Sequence, residues 1–229
     1  MTPSTFVTEL RAAFAARARP AKAEQMRAYM KSALPYFGVA LPEARRITRA
    51  LAKNLVFDDL PALERLVRHL YGKAKHREER YAALTLLDLK QTRGLLTLEA
   101  RPLVEWLITE GAWWDLVDEV ATHRLLPWFD QSPTQTATII GAWSRSSDLW
   151  LRRAAIISQV LRGPAVDLEL LFAAIEPAIG EPEFFLRKAI GWALRAAAKT
   201  NGPAVRAYVE EHRSRLSGLS IREAEKGLR

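Results

Sequence analysis

Two tryptophans and three acidic residues lie within one short stretch of an otherwise basic chain. The segment GAWWDLVDEVA occupies residues 111–121 and includes Trp114 and Asp118. On a helix these two residues share a face, because residues four apart are neighbours on the helix surface. A carboxylate and an indole face can both stabilise a positive charge. The segment therefore predicts a site for a cationic ligand or a cationic transition state.

The preceding tryptophan is explained by packing. A helix that starts near residue 112 has an apolar stripe at helical spacing formed by Trp113, Leu116, Val117 and Val120. Asp115 and Glu119 fall on another flank, where they favour the helix N-terminus and solvent. Of the two indoles, only Trp114 is left without a packing role.

A repeat places other charged residues in register with Asp118. The segments LWLRRAAIISQV (149–160) and FFLRKAIGWALR (184–195) are similar, and Arg153 and Lys188 are 35 residues apart. Asp118 lies 35 residues before Arg153. Two short helices with such a period are typical of an α-solenoid of the HEAT or TPR kind. Asp118, Arg153 and Lys188 are then expected to form a row on one face of the array.

Trp192 lies four residues after Lys188 and borders the same row. Curvature of the array would make this row the lining of a basic concave groove. Simpler interpretations remain open at this point: Asp118 could merely pair with Arg153, Trp192 could pack between helices, and the chain could be a non-repetitive helical bundle.

Helical periodicity recurs along almost the whole chain, and no run of alternating apolar and polar residues competes with it. One apolar stripe is formed by Leu63, Leu66, Val67 and Leu70. Prolines sit near helix starts, as in Ser132-Pro133 and Asp59-Leu60-Pro61, and Ser220 with Glu223 has the spacing of a capping box. We predict an all-α fold of helices about 10–16 residues long joined by short loops, forming one HEAT-like repeat domain over residues 1–229.

Composition favours a polyanionic partner. The formal net charge is +8 and the pI is about 10.0, a balance typical of nucleic-acid-binding proteins. There is no cysteine, and no apolar run or N-terminal segment resembles a membrane span or a secretory signal. We expect a cytoplasmic protein with no membrane association.

Metal and cofactor chemistry has little support in the sequence. The four histidines are scattered and have no ligand spacing, and no phosphate-binding glycine loop or nucleophile elbow occurs. We expect no metal and no cofactor.

Five segments together resemble a known family. They are EQMRAYMK (24–31), WWDLVD (113–118), WLRRAAI (150–156), FFLRKAIGWALRAAAK (184–199) and LSIREA (219–224). In this order, over nearly the whole chain, they resemble the AlkD-type DNA alkylation repair glycosylases, which are built from HEAT-like helical repeats. The resemblance implies hydrolysis of the N-glycosidic bond of cationic N3- or N7-alkylated purines, such as 3-methyladenine and 7-methylguanine, in base excision repair.

The resemblance also implies roles for particular residues. The catalytic carboxylate corresponds to Asp118, and the two catalytic indoles correspond to Trp114 and Trp192. Arg153 matches an arginine beside the lesion, and Tyr29 matches an aromatic residue on the N-terminal side of the groove.

Three further basic residues complete the expected DNA-binding set. Lys188 belongs to the predicted row, and Arg195 is a candidate phosphate ligand on the same helix. Arg45 lies in GVALPEARR (38–46), which resembles a phosphate site at a helix start but has Leu41 where a capping hydroxyl is expected. The expected partner is duplex DNA with alkylated bases, bound by a monomer.

Two other functions remain open. The same solenoid could bind damaged or branched DNA without cleaving it, although the presence of Asp118, Trp114 and Trp192 argues against this. A protein-binding HEAT scaffold is the second alternative, but it needs no carboxylate between indoles in a basic groove.

Overall fold

The computed structural model describes residues 1–228, and within this range every regular element is helical. The α-helices are α1 (Pro3–Ala15), α2 (Pro20–Met30), α3 (Leu41–Leu51), α4 (Leu60–Gly72), α5 (Arg77–Leu86), α6 (Arg101–Gly111), α7 (Trp114–His123), α8 (Leu126–Gln131), α9 (Pro133–Ser144), α10 (Leu149–Ile157), α11 (Leu168–Ile175), α12 (Phe184–Glu211) and α13 (Gly218–Glu225). Short 3₁₀ turns occur at Ala52–Asn54, Arg93–Leu95, Leu98–Ala100, Gly163–Ala165 and Glu176–Ala178. The all-α prediction is confirmed.

The helices group into two compact units, residues 1–103 and residues 104–228. In the first unit α5 packs against α3 and α4, and α1 packs against α3. The apolar stripe predicted for α4 is buried, and Asp59 caps that helix by accepting the N–H of Ala62 at 2.8 Å. The expectation of one domain over the whole chain stays a prediction.

A buried carboxylate organises the loop that leads into α3. Glu78 is fully buried and accepts the backbone N–H groups of Phe37, Gly38 and Val39 at 3.1, 2.9 and 3.1 Å. Gly38 has a φ of 86°, and a Cβ there would lie 2.4 Å from the carbonyl oxygen of Arg19. Only glycine fits this left-handed conformation and this close approach.

The second unit stacks helices in sequence order. α7 packs against α10, α10 against α12, and α12 against α13, while α9 contacts α10 and α11. α12 is two helices joined without a loop, because Asn201 leaves the helical region (φ −132°, ψ 43°) and Pro203 follows it. This arrangement is consistent with an α-solenoid of helix pairs.

Glycines allow α12 and α13 to lie close together. A Cβ at Gly191 would lie 2.5 Å from the Cβ of Glu223 and 3.1 Å from the carbonyl oxygen of Ser220. A Cβ at Gly227 would lie 2.5 Å from the carbonyl oxygen of Arg195. The close spacing between these helices therefore depends on the absence of a side chain at Gly191 and at Gly227.

One sequence prediction about a helix end was wrong. α13 is capped by Ser217, whose hydroxyl accepts the N–H of Ser220, so Ser220 lies inside the first turn and is not the cap. α7 begins at Trp114, close to the predicted start near residue 112, and Trp113 occupies the N-cap position in an extended conformation. Helix lengths run from 6 residues in α8 to 13 in α1 and α4, so several helices are shorter than the predicted 10–16 residues, while the 28-residue span of α12 is divided at Asn201 into two helices.

We expect Gly191→Ala to destabilise the protein by about 1–3 kcal/mol, since the added methyl group must displace α13. Gly141→Ala is the matched control: it also lies within a helix, but its nearest atom, Nη1 of Arg145, is at 3.7 Å. That control should gain about 0.5–1 kcal/mol of stability from helix propensity. Equal denaturation midpoints for the two variants would contradict the close-packing argument.

Candidate functional site

The predicted 35-residue register is present as direct contacts. Asp118 on α7 pairs with Arg153 on α10, and Lys188 on α12 pairs with Glu223 on α13. Both pairs are separated by 35 residues along the chain. The structure thus joins two of the three predicted members of the row, Asp118 and Arg153, and it pairs the third, Lys188, with Glu223, which the sequence reasoning missed. Continuing the same 35-residue step beyond Lys188 would have found it.

Arg153 holds Asp118 in a fixed orientation. Its Nε donates to Oδ1 of Asp118 at 2.7 Å, and its Nη2 donates to Oδ2 at 2.8 Å. Its Nη1 donates to the carbonyl oxygen of Phe185 at 2.6 Å. Arg153 is only 4% exposed, so all three guanidinium nitrogens are used within the protein. Arg153 is therefore a positioning residue for Asp118, and its direct contact with DNA stays a prediction.

The carboxylate of Asp118 is mostly buried but remains partly accessible to solvent. Its side chain is 16% exposed. Burial raises its pKa above the usual aspartate value of 3.8, although the hydrogen bonds and charge of Arg153 act in the opposite direction. Each carboxylate oxygen has two lone pairs, and Arg153 occupies one on each. The carboxylate can therefore accept a further hydrogen bond or face a positive charge.

The apolar side of α7 sets the position of Asp118. Leu116, Val117 and Val120 are fully buried, which turns Trp114 and Asp118 toward the partly exposed side of the helix. Trp114 is half-buried, and within residues 1–228 its ring stacks on no other aromatic side chain. Trp114 is thus partly exposed on the same side of α7 as Asp118.

Trp113 packs as predicted, although it precedes the helix. Its ring lies 6.1 Å from that of Trp150 and 5.5 Å from that of Phe185, measured between centroids. Its Nε1 is buried without a hydrogen-bond partner. The ring of Phe185 belongs to this aromatic cluster, and its carbonyl oxygen accepts the hydrogen bond from Nη1 of Arg153.

Trp192 lies between two of the predicted DNA-binding residues on α12. It is half-buried, and Lys188 and Arg195 lie four residues before and three residues after it. Nζ of Lys188 contacts Oε1 of Glu223 at 2.9 Å, and Nη1 of Arg195 contacts Oε2 at 2.5 Å. Both basic residues are therefore tied to one carboxylate of α13.

The two remaining predicted site residues lie in the first unit. Tyr29 on α2 is 76% exposed, and Arg45 on α3 is half-buried. The N-cap of α3, Ala40, offers no side-chain hydrogen bond, in line with the missing capping hydroxyl. Glu43 occupies the first turn and pairs with Arg19 at 3.2 Å. A carboxylate there opposes phosphate binding at this helix start, so a DNA contact through Arg45 has little local support.

Residues 1–228 contain neither a cluster of metal ligands nor a membrane-spanning helix. No group of three or more histidine, aspartate or glutamate side chains is arranged to hold a metal ion. No helix in this range is long and apolar enough to cross a lipid bilayer.

Comparison with known proteins identifies the family. The family model of the DNA alkylation repair enzymes matches residues 10–228. A solved structure described as a predicted DNA alkylation repair enzyme from Enterococcus faecalis superimposes with a TM-score of 0.81 at 29% identity, covering 91% of this chain and 95% of that one. No curated protein sequence matches significantly. Because the family match spans nearly all of the sequence, the chain belongs to the DNA alkylation repair enzyme family, whose role is in DNA repair.

Proposed function

We propose that the protein is a DNA glycosylase that removes cationic N3- and N7-alkylated purines, such as 3-methyladenine and 7-methylguanine, from duplex DNA. The observation that carries the proposal is Asp118: a partly exposed carboxylate, oriented by a buried arginine, on the same helix face as Trp114. Membership of the DNA alkylation repair family supports alkylated DNA as the substrate.

The proposed reaction is hydrolysis of the bond between C1′ of the deoxyribose and the alkylated base. An N3- or N7-alkylated purine carries a positive charge, so the electron pair of the breaking bond neutralises the departing base. The sugar becomes oxocarbenium-like, and water adds its oxygen to C1′ and loses a proton, as in other glycoside cleavages. The base needs no protonation, which fits a site built around a carboxylate.

Asp118 would stabilise the cationic sugar electrostatically and accept a hydrogen bond from the attacking water. Arg153 neutralises part of its charge but fixes both oxygens before the substrate arrives. A pre-oriented carboxylate in a partly desolvated site interacts more strongly with a developing charge than one in water. The indole faces of Trp114 and Trp192 would attract the same cation.

The second candidate function is binding to damaged or branched DNA without base excision. The observation in its favour is the Asp118–Arg153 pair itself, because a carboxylate with both oxygens engaged can serve the packing of α7 on α10 alone. Asp118 would then be a structural partner, and the two indoles would contact DNA without chemistry. The glycosylase remains the better-supported proposal because it uses the carboxylate and both indoles.

Asp118→Asn should reduce excision of 7-methylguanine by about 10²–10³-fold, the loss typical of removing one preorganised electrostatic group. Free base released from a 7-methylguanine duplex under single-turnover conditions is the measurement, with undamaged-duplex binding measured in parallel. Binding should persist, because no cation is removed, and a thermal melt checks that the variant stays folded without the ion pair to Arg153.

Asp115→Asn provides the matched control, since it removes one carboxylate from the first turn of the same helix. It should keep near-normal excision. If wild-type protein binds duplex DNA in a salt-sensitive manner but releases neither 7-methylguanine nor 3-methyladenine, the glycosylase proposal is wrong and the non-catalytic alternative holds.

The excision rate should be lost at acid pH, and the midpoint of this loss should lie above the ordinary pKa of aspartate. Ionised Asp118 is the active form, so the rate is full above its pKa in the folded protein and is lost as pH drops through that pKa. Because burial raises this pKa above 3.8, the acid limb should lie above pH 3.8. Single-turnover rates, corrected for enzyme-free depurination, test this, and a limb centred at or below 3.8 would contradict it.

Excision should also be independent of metal ions. We expect equal rates before and after exhaustive treatment with EDTA, since a charged purine leaves without a Lewis acid. Loss of activity in EDTA, restored by a divalent metal, would show that the carboxylate mechanism is incomplete.

A further inference from the structure

One buried carboxylate organises three basic side chains next to Trp192. Glu223 on α13 is 5% exposed. Its Oε1 accepts from Nζ of Lys188 at 2.9 Å and from Nζ of Lys226 at 2.8 Å, and its Oε2 accepts from Nη1 of Arg195 at 2.5 Å. Lys226 has no role in the glycosylase chemistry proposed above, and neither has Glu223.

The cluster is built into the contact between two helices. Lys188, Trp192 and Arg195 follow one another at i, i+4 and i+7, so they share a face of α12. Gly191 leaves room for the Cβ of Glu223 against the α12 backbone between the two basic residues. Glu223 is thereby placed within reach of the cations on both sides of the Trp192 indole.

The charges of the cluster do not cancel. Three cations surround one anion, which leaves two net positive charges. The hydrogen bonds from Lys226 and Lys188 lower the pKa of Glu223 to about 2, so this carboxylate is ionised at neutral pH. The side chains of Lys188, Arg195 and Lys226 remain 43%, 34% and 54% exposed. A helix–helix contact needs only one of these cations, and the others present unneutralised charge to solvent.

We propose that Lys188, Arg195 and Lys226 form a binding site for a DNA backbone phosphate beside Trp192, and that Glu223 is the positioning residue of this site. The proposal rests on the proposed function in one respect, namely that the ligand is duplex DNA. Glu223 holds the three cations in one place before DNA arrives, so they lose less conformational freedom on binding. The phosphate would lie next to the deoxyribose that Trp192 is proposed to contact.

The salt dependence of binding to undamaged duplex tests the phosphate site without reference to excision. The double variant Lys188→Met/Arg195→Met should lower the slope of log K against log salt by about 0.9, the value for one lost phosphate contact on duplex DNA. Lys199→Met/Arg222→Met removes two exposed positive charges from the same two helices and serves as the control. Equal slopes for the first variant and wild type would overturn the site.

Glu223→Gln separates positioning from bulk charge. The substitution removes one negative charge. If Glu223 only competes with DNA as an anion, Glu223→Gln should bind duplex DNA more tightly. Positioning predicts the reverse: binding weakens roughly fivefold, about the value of one ordinary hydrogen bond. In the Gln background, Arg195→Met should cost less affinity than in wild type, because Arg195 is no longer held in place. Tighter binding, or additive effects, would overturn the positioning role.

The outcomes distinguish this proposal from the glycosylase proposal. Wild-type protein that shows the expected slopes but excises no base would retain the phosphate site and lose the glycosylase activity. If wild-type protein excises the base but the salt slope of the Lys188→Met/Arg195→Met variant is unchanged, the glycosylase proposal is retained and the phosphate site is lost. A thermal melt of each variant confirms folding at the assay temperature. The double variant leaves Glu223 its ion pair with Lys226, so it keeps the test decisive even if Glu223→Gln unfolds.

Discussion

The ion pair between Asp118 and Arg153 is the constraint on which the second unit depends. Two charges are removed from water, and the cost is offset only if α7 and α10 place them within hydrogen-bond distance. The third donor of Arg153 reaches the carbonyl of Phe185, so one guanidinium fixes α7, α10 and the start of α12 together. Loss of either partner from such a buried pair typically costs about 3–5 kcal/mol. The groups proposed for chemistry and the groups that order the helices are therefore partly the same.

Much of this arrangement could be predicted from sequence because it follows from periodicity. The 35-residue step places Asp118 opposite Arg153, and the structure confirms that contact. The same step from Lys188 leads to Glu223, yet Glu223 was missed because a lysine in a basic chain was assigned to an external anion. The α13 cap was assigned to Ser220 on its capping-box spacing, but Ser217, three residues earlier, fills that position.

Other features of the structure could not be predicted from the types of residue in the sequence. Glu78 is fully buried because three backbone N–H groups of residues 37–39 converge on it, and backbone donors are the same at every non-proline position. The close contact of α12 with α13 depends on the absence of a side chain at Gly191, which reads in sequence only as a weak point in a helix. Tyr29 and Arg45 belong to the first unit, and periodicity within the second unit cannot place them relative to Asp118.

The row formed by Asp118, Arg153, Lys188 and Glu223 has a further consequence. Asp118 and Arg153 cancel in formal charge, whereas Glu223 is shared by Lys188, Arg195 and Lys226, so this end of the row keeps two net positive charges. Beyond about 10 Å, the screening length at 0.1 M salt, a closely paired anion and cation contribute almost no field. Attraction of a distant duplex must then come from the Glu223 end and from basic residues outside the row, and the Asp118–Arg153 pair acts only at contact. Capture of DNA and selection of a lesion would fall to separate sets of residues, free to change independently over evolution.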